Sequence, residues 1–230
     1  MLTKATLIIP AAGSGSRLNR ETPKPYLEIS GKTILEHTLL RFLGLENLRQ
    51  VIVATSPQYI SRAEEVLQQV LPETILFHVI EGGAERQHSI FNTLKFVDDE
   101  HLVIVHDAVR PFVKPEHIES CCKAAMETGA SVLGVPAKDT IKQIDKDRII
   151  LKTPSRSFLW QAQTPQVFKK EIMQEAYQRA FEENFIGTDD ASLVERLGYP
   201  VKMVEGDRSN FKITYPLDLK LAKLLLDTDT

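Results

Sequence analysis

Two cations, Arg17 and Lys24, follow a run of small residues, Pro10-Ala11-Ala12-Gly13-Ser14-Gly15-Ser16. Small residues let backbone N–H groups approach an anion closely, and successive N–H groups form a concave nest for phosphate oxygens. Arg17 and Lys24 add full positive charge at the same place. The stretch therefore reads as a seat for the triphosphate tail of a nucleotide. It is neither of two familiar phosphate loops. A Gly-x-x-x-x-Gly-Lys-Ser/Thr motif does not occur in the sequence. After Gly13-x-Gly15 the third glycine of a dinucleotide fingerprint is replaced by Leu18, and Val51-Ile52-Val53-Ala54-Thr55-Ser56 offers no acid for a ribose. Taken alone, the stretch is also compatible with a plain turn beside solvated cations.

Those residues need elements to hold them. Apolar runs at 6–9, 50–54, 74–80, 102–105 and 131–135 alternate with segments of helical spacing. Residues 33–43 place Ile34, Leu35, Leu39, Leu40 and Leu43 on a mostly apolar stripe. Ser56-Pro57 reads as a helix start, 85–97 carries Ile90, Phe91, Leu94 and Val97, and 115–128 opens on Pro115. The alternation predicts an α/β fold, a mostly parallel twisted sheet with helices on both faces. Ligands of such sheets sit beyond the carboxyl ends of the strands, and the chemically interesting residues at 11–17, 82–89 and 106–111 do follow strand ends.

After Pro136 the rhythm changes. Segments 138–144 and 148–153 read as strands around the polar turn Asp145-Lys146-Asp147, a β-hairpin arm within 137–155 that carries Ile141, Ile144, Ile149, Ile150 and Leu151. An apolar arm needs a covering surface, either a second copy of the chain or its own core; a homodimer through the arm is expected. A further run at 160–168, helices at 170–183 and 189–197, short strands at 200–204 and 211–214, and a helix from Pro216 complete the chain. With no repeat or linker in its 230 residues, one domain spanning 1–230 with an arm is the simplest account.

A formal charge of −3 and a pI near 6.1 disfavour nucleic acid as a partner, which calls for a basic face. No stretch approaches the ~20 apolar residues of a membrane span, and the first residues lack a signal peptide's basic start and apolar centre. Cys121 and Cys122 are adjacent, a poor arrangement for an intrachain bridge or for zinc, and read as helix residues in reducing surroundings. A cytoplasmic location is expected.

The stretch 10–17, with Pro23-Lys24 and Tyr26-Leu27, resembles the opening signature of sugar-phosphate and polyol-phosphate nucleotidyltransferases. More narrowly, the chain is similar to the 2-C-methyl-D-erythritol 4-phosphate cytidylyltransferases of the non-mevalonate isoprenoid pathway. The matching pieces run in order along nearly the whole length. They are Thr33-Ile34-Leu35-Glu36-His37-Thr38, Gly82-Gly83 with Glu85-Arg86, and Val105-His106-Asp107-Ala108-Val109-Arg110-Pro111, followed by Lys138-Asp139-Thr140-Ile141-Lys142. Gln163-Thr164-Pro165-Gln166, Thr188-Asp189-Asp190-Ala191-Ser192 and Asn210-Phe211-Lys212-Ile213-Thr214 close the series.

The resemblance implies a Rossmann-like nucleotidyltransferase fold and attack by a phosphate oxygen of the polyol phosphate on the α-phosphorus of CTP, expelling pyrophosphate. A phosphate nucleophile is already ionised at neutral pH, so positioning and preorganised positive charge are the catalytic resources such a reaction needs. It further implies that Arg17 and Lys24 stabilise the transition state and that Arg156 and Lys212 position the substrate phosphate. Asp107 would help hold Mg²⁺, which accepts one carboxylate together with phosphates and waters. CTP would lie on Pro10, Ala11, Ala12, Gly13, Ser14, Gly15 and Ala108, with Gly82, Gly83, Arg86 and Ser89 around its cytosine. The polyol phosphate would face Asp107, Arg110, Thr140 and Thr188. Thr140 and Arg156 flank the arm, so a dimer would lend both to its partner's site. His106 stands as a structural neighbour rather than a base.

Three departures from the family pattern bear on these roles. Ala84 stands where Asp is frequent, which touches base selectivity if that side chain matters. Pro25 replaces the usual Gln and stiffens the loop after Lys24. Thr153-Pro154-Ser155 precedes Arg156, where an acid is more usual, and this touches the arm's local geometry. Two other readings stand beside the first. A ribitol-5-phosphate cytidylyltransferase would share the fold and the CTP loop, whereas 139–142 and 188–192 favour the methylerythritol substrate. A non-catalytic nucleotide-binding module would lack cations aimed at the α-phosphorus, yet Arg17 and Lys24 are both present.

Overall fold

Leu7, Ile8 and Ile9 are wholly buried, so the apolar run ahead of the small-residue loop is a central strand. The computed structural model describes residues 3–13, 22–98 and 101–228. Ser14, Gly15 and Arg17, all expected at the site, lie outside the described residues. The chain runs β1 (Ala5–Pro10), β2 (Glu28–Ile29), β3 (Lys32–Thr33), α1 (Ile34–Leu40), β4 (Leu48–Thr55), α2 (Ile60–Val70), β5 (Leu76–Glu81), α3 (Arg86–Leu94) and β6 (Leu102–Val105). It continues through α4 (Pro115–Thr128), β7 (Ala130–Pro136), β8 (Gln143–Ile144), β9 (Ile150–Lys152), β10 (Trp160–Lys169), α5 (Lys170–Glu182), α6 (Asp190–Arg196), β11 (Lys202–Glu205) and α7 (Pro216–Thr228).

Seven strands form one sheet in the order β11-β7-β10-β6-β1-β4-β5. β10 runs antiparallel to both β6 and β7, and the remaining pairings are parallel. From β1 the chain builds outward through β4 to β5, then returns to place β6 on the other side of β1. The loops leaving β1 and β6 therefore diverge and open a crevice at the strands' carboxyl ends.

Alternation along β1 sends Leu7 and Ile9 to one face and Ile8 to the other, and both faces are covered. The first face packs with Leu35, Leu39, Phe42, Val51 and Val53, and the second with Ile52, Ile90, Val103, Phe168 and Tyr177. Each such aliphatic side chain contributes about 1.5–3 kcal/mol by leaving water. A third cluster, Leu27, Ile29, Ile34, Val109, Phe112, Ile213 and Ala222, packs α7 against β2, α1 and the loop after β6. That cluster fixes the segments on either side of the crevice.

Local chemistry explains where elements begin and stop. α1 opens on a reciprocal cap: Glu36 N–H donates to Thr33 Oγ1 (3.1 Å) and Thr33 N–H to Glu36 Oε2 (2.6 Å). It ends at Leu40 rather than at 43, because Arg41 N–H turns to Thr38 O in a tighter loop while Phe42 stays in the core. Ser56 makes no side-chain cap; Pro57–Tyr59 forms a 3-10 turn ahead of α2. β2 and β3, too short for any periodicity, are joined by Ser30 and Gly31 at φ 49° and 81°, the left-handed region. The strand expected at 211–214 does not form. Phe211 stacks on Phe112 and Ile213 N–H donates to Val109 O, so the segment is held by a loop and not by a strand edge.

The hairpin forms as a short ladder of its own, Gln143 opposite Lys152 and Ile144 opposite Ile150. Asp145 Oδ1 closes the turn by accepting from Asp147 N–H and Ile149 N–H, both at 2.9 Å. Ile144, Ile149, Ile150 and Leu151 are 48–63% exposed, so the chain's own core leaves them uncovered. Cys121 and Cys122 are buried on α4 and unbridged, and burial pushes both thiols up to about 12. Among the described residues no helix is long and apolar enough to cross a membrane.

Candidate functional site

The loops beyond the strand ends are tied laterally to the sheet. Ala11 N–H donates to Ala54 O (2.7 Å), Gly82 N–H to Thr55 O (2.8 Å) and His106 N–H to Ile8 O (3.0 Å). They surround a cavity of about 650 Å³ lined by Pro10, Ala11, Ala12 and Gly13 after β1, by Lys24 and Pro25, and by Gly83, Ala84, Glu85, Arg86 and Ser89. Asp107, Ala108, Val109, Lys212 and Thr214 complete the wall. Most residues expected to hold a nucleotide are thus brought together. Gly82 stands just behind: a Cβ there would lie 2.4 Å from Ala12 Cβ and 3.0 Å from Ser89 Oγ, so only glycine lets this turn close on the β1 loop. The Ser89 hydroxyl accepts from Gly83 N–H (3.0 Å) and donates to Glu85 O (3.1 Å), which shapes the turn that opens α3.

Lys24 starts a 3-10 turn whose next two residues, Pro25 and Tyr26, are buried. Tyr26 stacks on Tyr59 with ring centroids 4.6 Å apart, and its hydroxyl lies 2.6 Å from Thr55 Oγ1 at the end of β4. Burial raises the Tyr26 phenol above its ordinary value, so it stays a neutral hydrogen-bonding group. With its base so fixed, Lys24 reaches across and donates from Nζ to Thr214 O at 2.9 Å.

Asp107, only 7% exposed, is ringed by cations: Lys212 Nζ at 3.1 Å, Arg110 Nε at 3.2 Å and Arg86 Nε at 3.6 Å. Burial by itself would raise its carboxyl; the charges of Lys212, Arg86 and Arg110 override that and hold it well below the usual carboxylate range. Arg86 is shared. It forks onto Asp190 of α6 through Nη1 (2.9 Å) and Nη2 (2.8 Å), and Tyr177 donates its hydroxyl to the same carboxylate. Burial would lower the Arg86 guanidinium, but Asp190 and Asp107 raise it further above its already high value. His106 is wholly buried, its Nε2 lies 3.0 Å from Arg110 O, and burial pushes it down to about 4. A neutral imidazole packed on Phe42 is a structural neighbour of Asp107.

Among the described residues no three His, Cys, Asp or Glu side chains converge to hold a metal ion by themselves. A divalent cation that takes one carboxylate and completes its shell with phosphates and water does fit the donor set. Asp107 is ionised, and among the described residues its Oδ1 meets a 3.6 Å contact from Arg86.

Other expected residues are placed elsewhere. Arg110 is turned inward, with Nη1 donating to Asn210 O (2.8 Å) as Nε meets Asp107. Thr188 lines a recess of about 90 Å³ beside Asp189 and Asp190 that shares Arg86 with the main cavity. Thr140 and Arg156, at the base of the arm, are exposed and line neither space; Arg156 Nη1 donates to Lys138 O (2.9 Å). Sequence reasoning gave no role to Asp190, Asn210, Gln163, Thr164 or Tyr26, all of which position the cavity wall. The readable signal was a set of polar side chains beside apolar runs, such as Gln163-Thr164 within β10.

The family model for 2-C-methyl-D-erythritol 4-phosphate cytidylyltransferase matches residues 5–228. An enzyme of that name from Caldanaerobacter subterraneus is 45% identical over 220 residues, covering 95% of this chain and 97% of its own. One from Syntrophus aciditrophicus is 40% identical, covering 98% and 97%. Among solved structures, the 4-diphosphocytidyl-2C-methyl-D-erythritol synthase of Anaerococcus prevotii superposes with a TM-score of 0.87 at 31% identity, over 98% of this chain and 96% of that one. The cytidylyltransferase of Thermus thermophilus gives 0.79 at 34% identity, over 97% and 99%. The chain belongs to the 2-C-methyl-D-erythritol 4-phosphate cytidylyltransferase family and is an enzyme of that transferase class.

Proposed function

We propose that the chain transfers the cytidylyl group of CTP to 2-C-methyl-D-erythritol 4-phosphate, releasing pyrophosphate and 4-diphosphocytidyl-2-C-methyl-D-erythritol, and that the cavity between the β1 and β6 loops is where this happens. The observation that carries the assignment is the gathering of the small-residue loop, Lys24, Asp107 and Lys212 around one cavity. In the reaction a phosphate oxygen of the polyol phosphate bonds to the α-phosphorus, and the bond from that phosphorus to the bridging oxygen of pyrophosphate breaks. No proton has to be removed from the nucleophile, which suits a cavity whose histidine neighbour is buried and neutral. Backbone groups of 10–13 seat the triphosphate, and Lys24, with Arg17, carries the charge that develops at the α-phosphorus. The turn 82–89 bounds the cytosine, with Ala84 contributing backbone and a methyl group only.

Lys212 positions the polyol phosphate, and Arg110 keeps Asp107 and the segment bearing Lys212 in register. Asp107 is the residue that would hold Mg²⁺, which neutralises triphosphate charge when bound. Thr140 and Arg156 sit at the base of the arm away from the cavity, so a homodimer through 137–155 supplies them to the partner's cavity and covers the exposed isoleucines. Thr188 completes the polyol side beyond Arg86. We place the enzyme in the cytoplasm as one domain with an arm. The deciding experiment is steady-state pyrophosphate release with CTP and Mg²⁺, comparing 2-C-methyl-D-erythritol 4-phosphate with ribitol 5-phosphate. The former is expected to be preferred in kcat/KM, and a preference for ribitol 5-phosphate overturns the substrate assignment. Tight CTP binding with no pyrophosphate from either substrate overturns the enzymatic one.

A further inference from the structure

Segment 207–214 brings two things to the cavity. Lys212 Nζ lies 3.1 Å from Asp107 Oδ2, and the carbonyl of Thr214 accepts from Lys24 Nζ at 2.9 Å. Both lysines of the cavity wall therefore depend on where this one segment lies. Among the described residues it pairs with no strand, and one of its anchors to the fold is Asn210, which is wholly buried.

The NH2 group of the Asn210 side chain is matched to that place. Nδ2 donates one N–H to Gln163 Oε1 (3.0 Å) and the other to Thr164 O (2.9 Å), both in the part of β10 where its register against β7 shifts. Gln163 Nε2 donates back to Asp207 O at 3.1 Å, and the backbone carbonyl of Asn210, not its side chain, accepts from Arg110 Nη1 at 2.8 Å. Thr164 in turn accepts the N–H of Asp107 through Oγ1 at 3.0 Å. One amide thus joins the segment, the irregular stretch of β10 and the peptide that carries Asp107. The chemistry demands an amide, since two acceptors face Nδ2 and a carboxylate has no hydrogen to give them.

We propose that Asn210 is a positioning residue for cytidylyl transfer: its buried amide locks segment 207–214 onto β10 and so places Lys212 against Asp107 and Thr214 O against Lys24. The proposal rests on the functional reading above for what the two lysines do, and on the hydrogen bonds alone for how they are placed. The segment keeps other anchors, the Phe211–Phe112 stack and the Ile213 N–H to Val109 O bond, so loss of the amide shifts it without releasing it.

The test is the crystal structure and steady-state kinetics of Asn210→Ala, with Gln163→Ala as a milder lesion in the same knot and Lys114→Ala as a control. Lys114 touches the segment only through an exposed pair with Asp207. In Asn210→Ala the Lys212–Asp107 and Lys24–Thr214 contacts are expected to be broken. A displacement of about 1 Å at reacting groups costs on the order of a hundredfold, so kcat falls by about that factor while KM for CTP stays within about threefold. Gln163→Ala moves both readouts the same way by less, and Lys114→Ala behaves as wild type. Should Asn210→Ala fail to fold, Gln163→Ala carries the same two readouts. Contacts intact in the variant, or activity lost only in proportion to unfolded protein, overturn the proposal. Contacts broken with kcat unaltered support the placing by Asn210 and refute the roles given to the lysines.

Discussion

Replacing Asp107 by Asn removes one negative charge from the middle of three cations while keeping the side chain's size and its backbone N–H bond to Thr164. At an effective dielectric of about 20, a unit pair at the observed 3.1–3.6 Å gains roughly 5 kcal/mol before desolvation. Most of that gain is offset by burying the ions, and removing one partner of such a cluster costs about 3–5 kcal/mol net. The lower end applies here, because every cation has somewhere to go. Lys212 is 47% exposed and can turn to water, Arg86 keeps its fork on Asp190, and Arg110 keeps Asn210 O. A loss of about 3 kcal/mol in a chain of this length lowers Tm by about 6–12 °C.

The pH dependence gives this prediction its edge. A carboxyl held below its unfolded value contributes stability that is fully present above that value, about 3.9, and lost only as pH falls toward the folded one. The assay is a set of calorimetric melts of wild type and Asp107→Asn from pH 8 down to about pH 3. Other titrating groups cancel in the difference. The gap in Tm is expected to be constant from pH 8 to pH 5 and to narrow only near and below pH 4. A gap that stays unchanged down to and below pH 4 means that the carboxyl titrates at its unfolded value, and the ion cluster as described is then wrong.

Lys24→Ala is expected to lower kcat roughly a hundredfold, the equivalent of about 3 kcal/mol, with much less change in CTP affinity, because in the proposed mechanism Lys24 acts on charge that develops during transfer. Pyrophosphate-release kinetics with an equilibrium titration of CTP check it, and weakened binding at unchanged turnover contradicts it. Gly82→Ala forces the Ala12 side of the β1 loop outward and is expected to raise KM for CTP at least tenfold, while Gly13→Ala, with open space around its Cβ, changes KM little. Deleting the arm's turn residues Asp145–Arg148 is expected to convert a dimer to a monomer in sedimentation velocity and to raise KM for the polyol phosphate. An unchanged dimer removes the arm from the interface.

How much of this was legible before the coordinates depended on whether the signal was local. β1, β4, β6 and α4 declare themselves through continuous apolar runs or helical spacing ending at Gly or Pro, and they fall within a residue or two of the expected limits. β10 reads as a strand too, but no local feature says that it inserts antiparallel between β6 and β7; that is set by packing across the sheet. β2 and β3 escape because two-residue strands have no period, and 211–214 deceives because Phe211 and Ile213 alternate as in a strand while packing under α7. In the site, the residues that form the cavity floor follow strand ends and could be found. The residues that aim them could not, since Asp190 is 104 positions from Arg86 and Asn210 is 47 from Gln163.

Each described cation around the cavity is already engaged before any substrate arrives. Lys24 holds Thr214 O, Lys212 and Arg110 hold Asp107, and Arg86 holds Asp190 and Asp107. Long basic side chains each carry about 2 kcal/mol of rotamer entropy, and these contacts take up that cost on folding, so the positive field is set in advance of the reaction. The pairing also gives the field a direction. Asp190 and Asp107 set two negative charges among Arg86, Arg110 and Lys212, of which Arg86 and Arg110 are the more deeply buried. Three cations thus face two carboxylates, and Lys212 is the most exposed of the three, while Lys24 lines the same cavity beside the β1 loop. On the proposed reading, an anionic substrate entering the cavity meets Lys212 and the Lys24 ammonium beside the β1 loop, with the carboxylates holding the other cations behind them. It follows that the carboxylates are as much a part of the device as the cations: without Asp107 and Asp190 the positive potential would extend toward α6 and lose its aim.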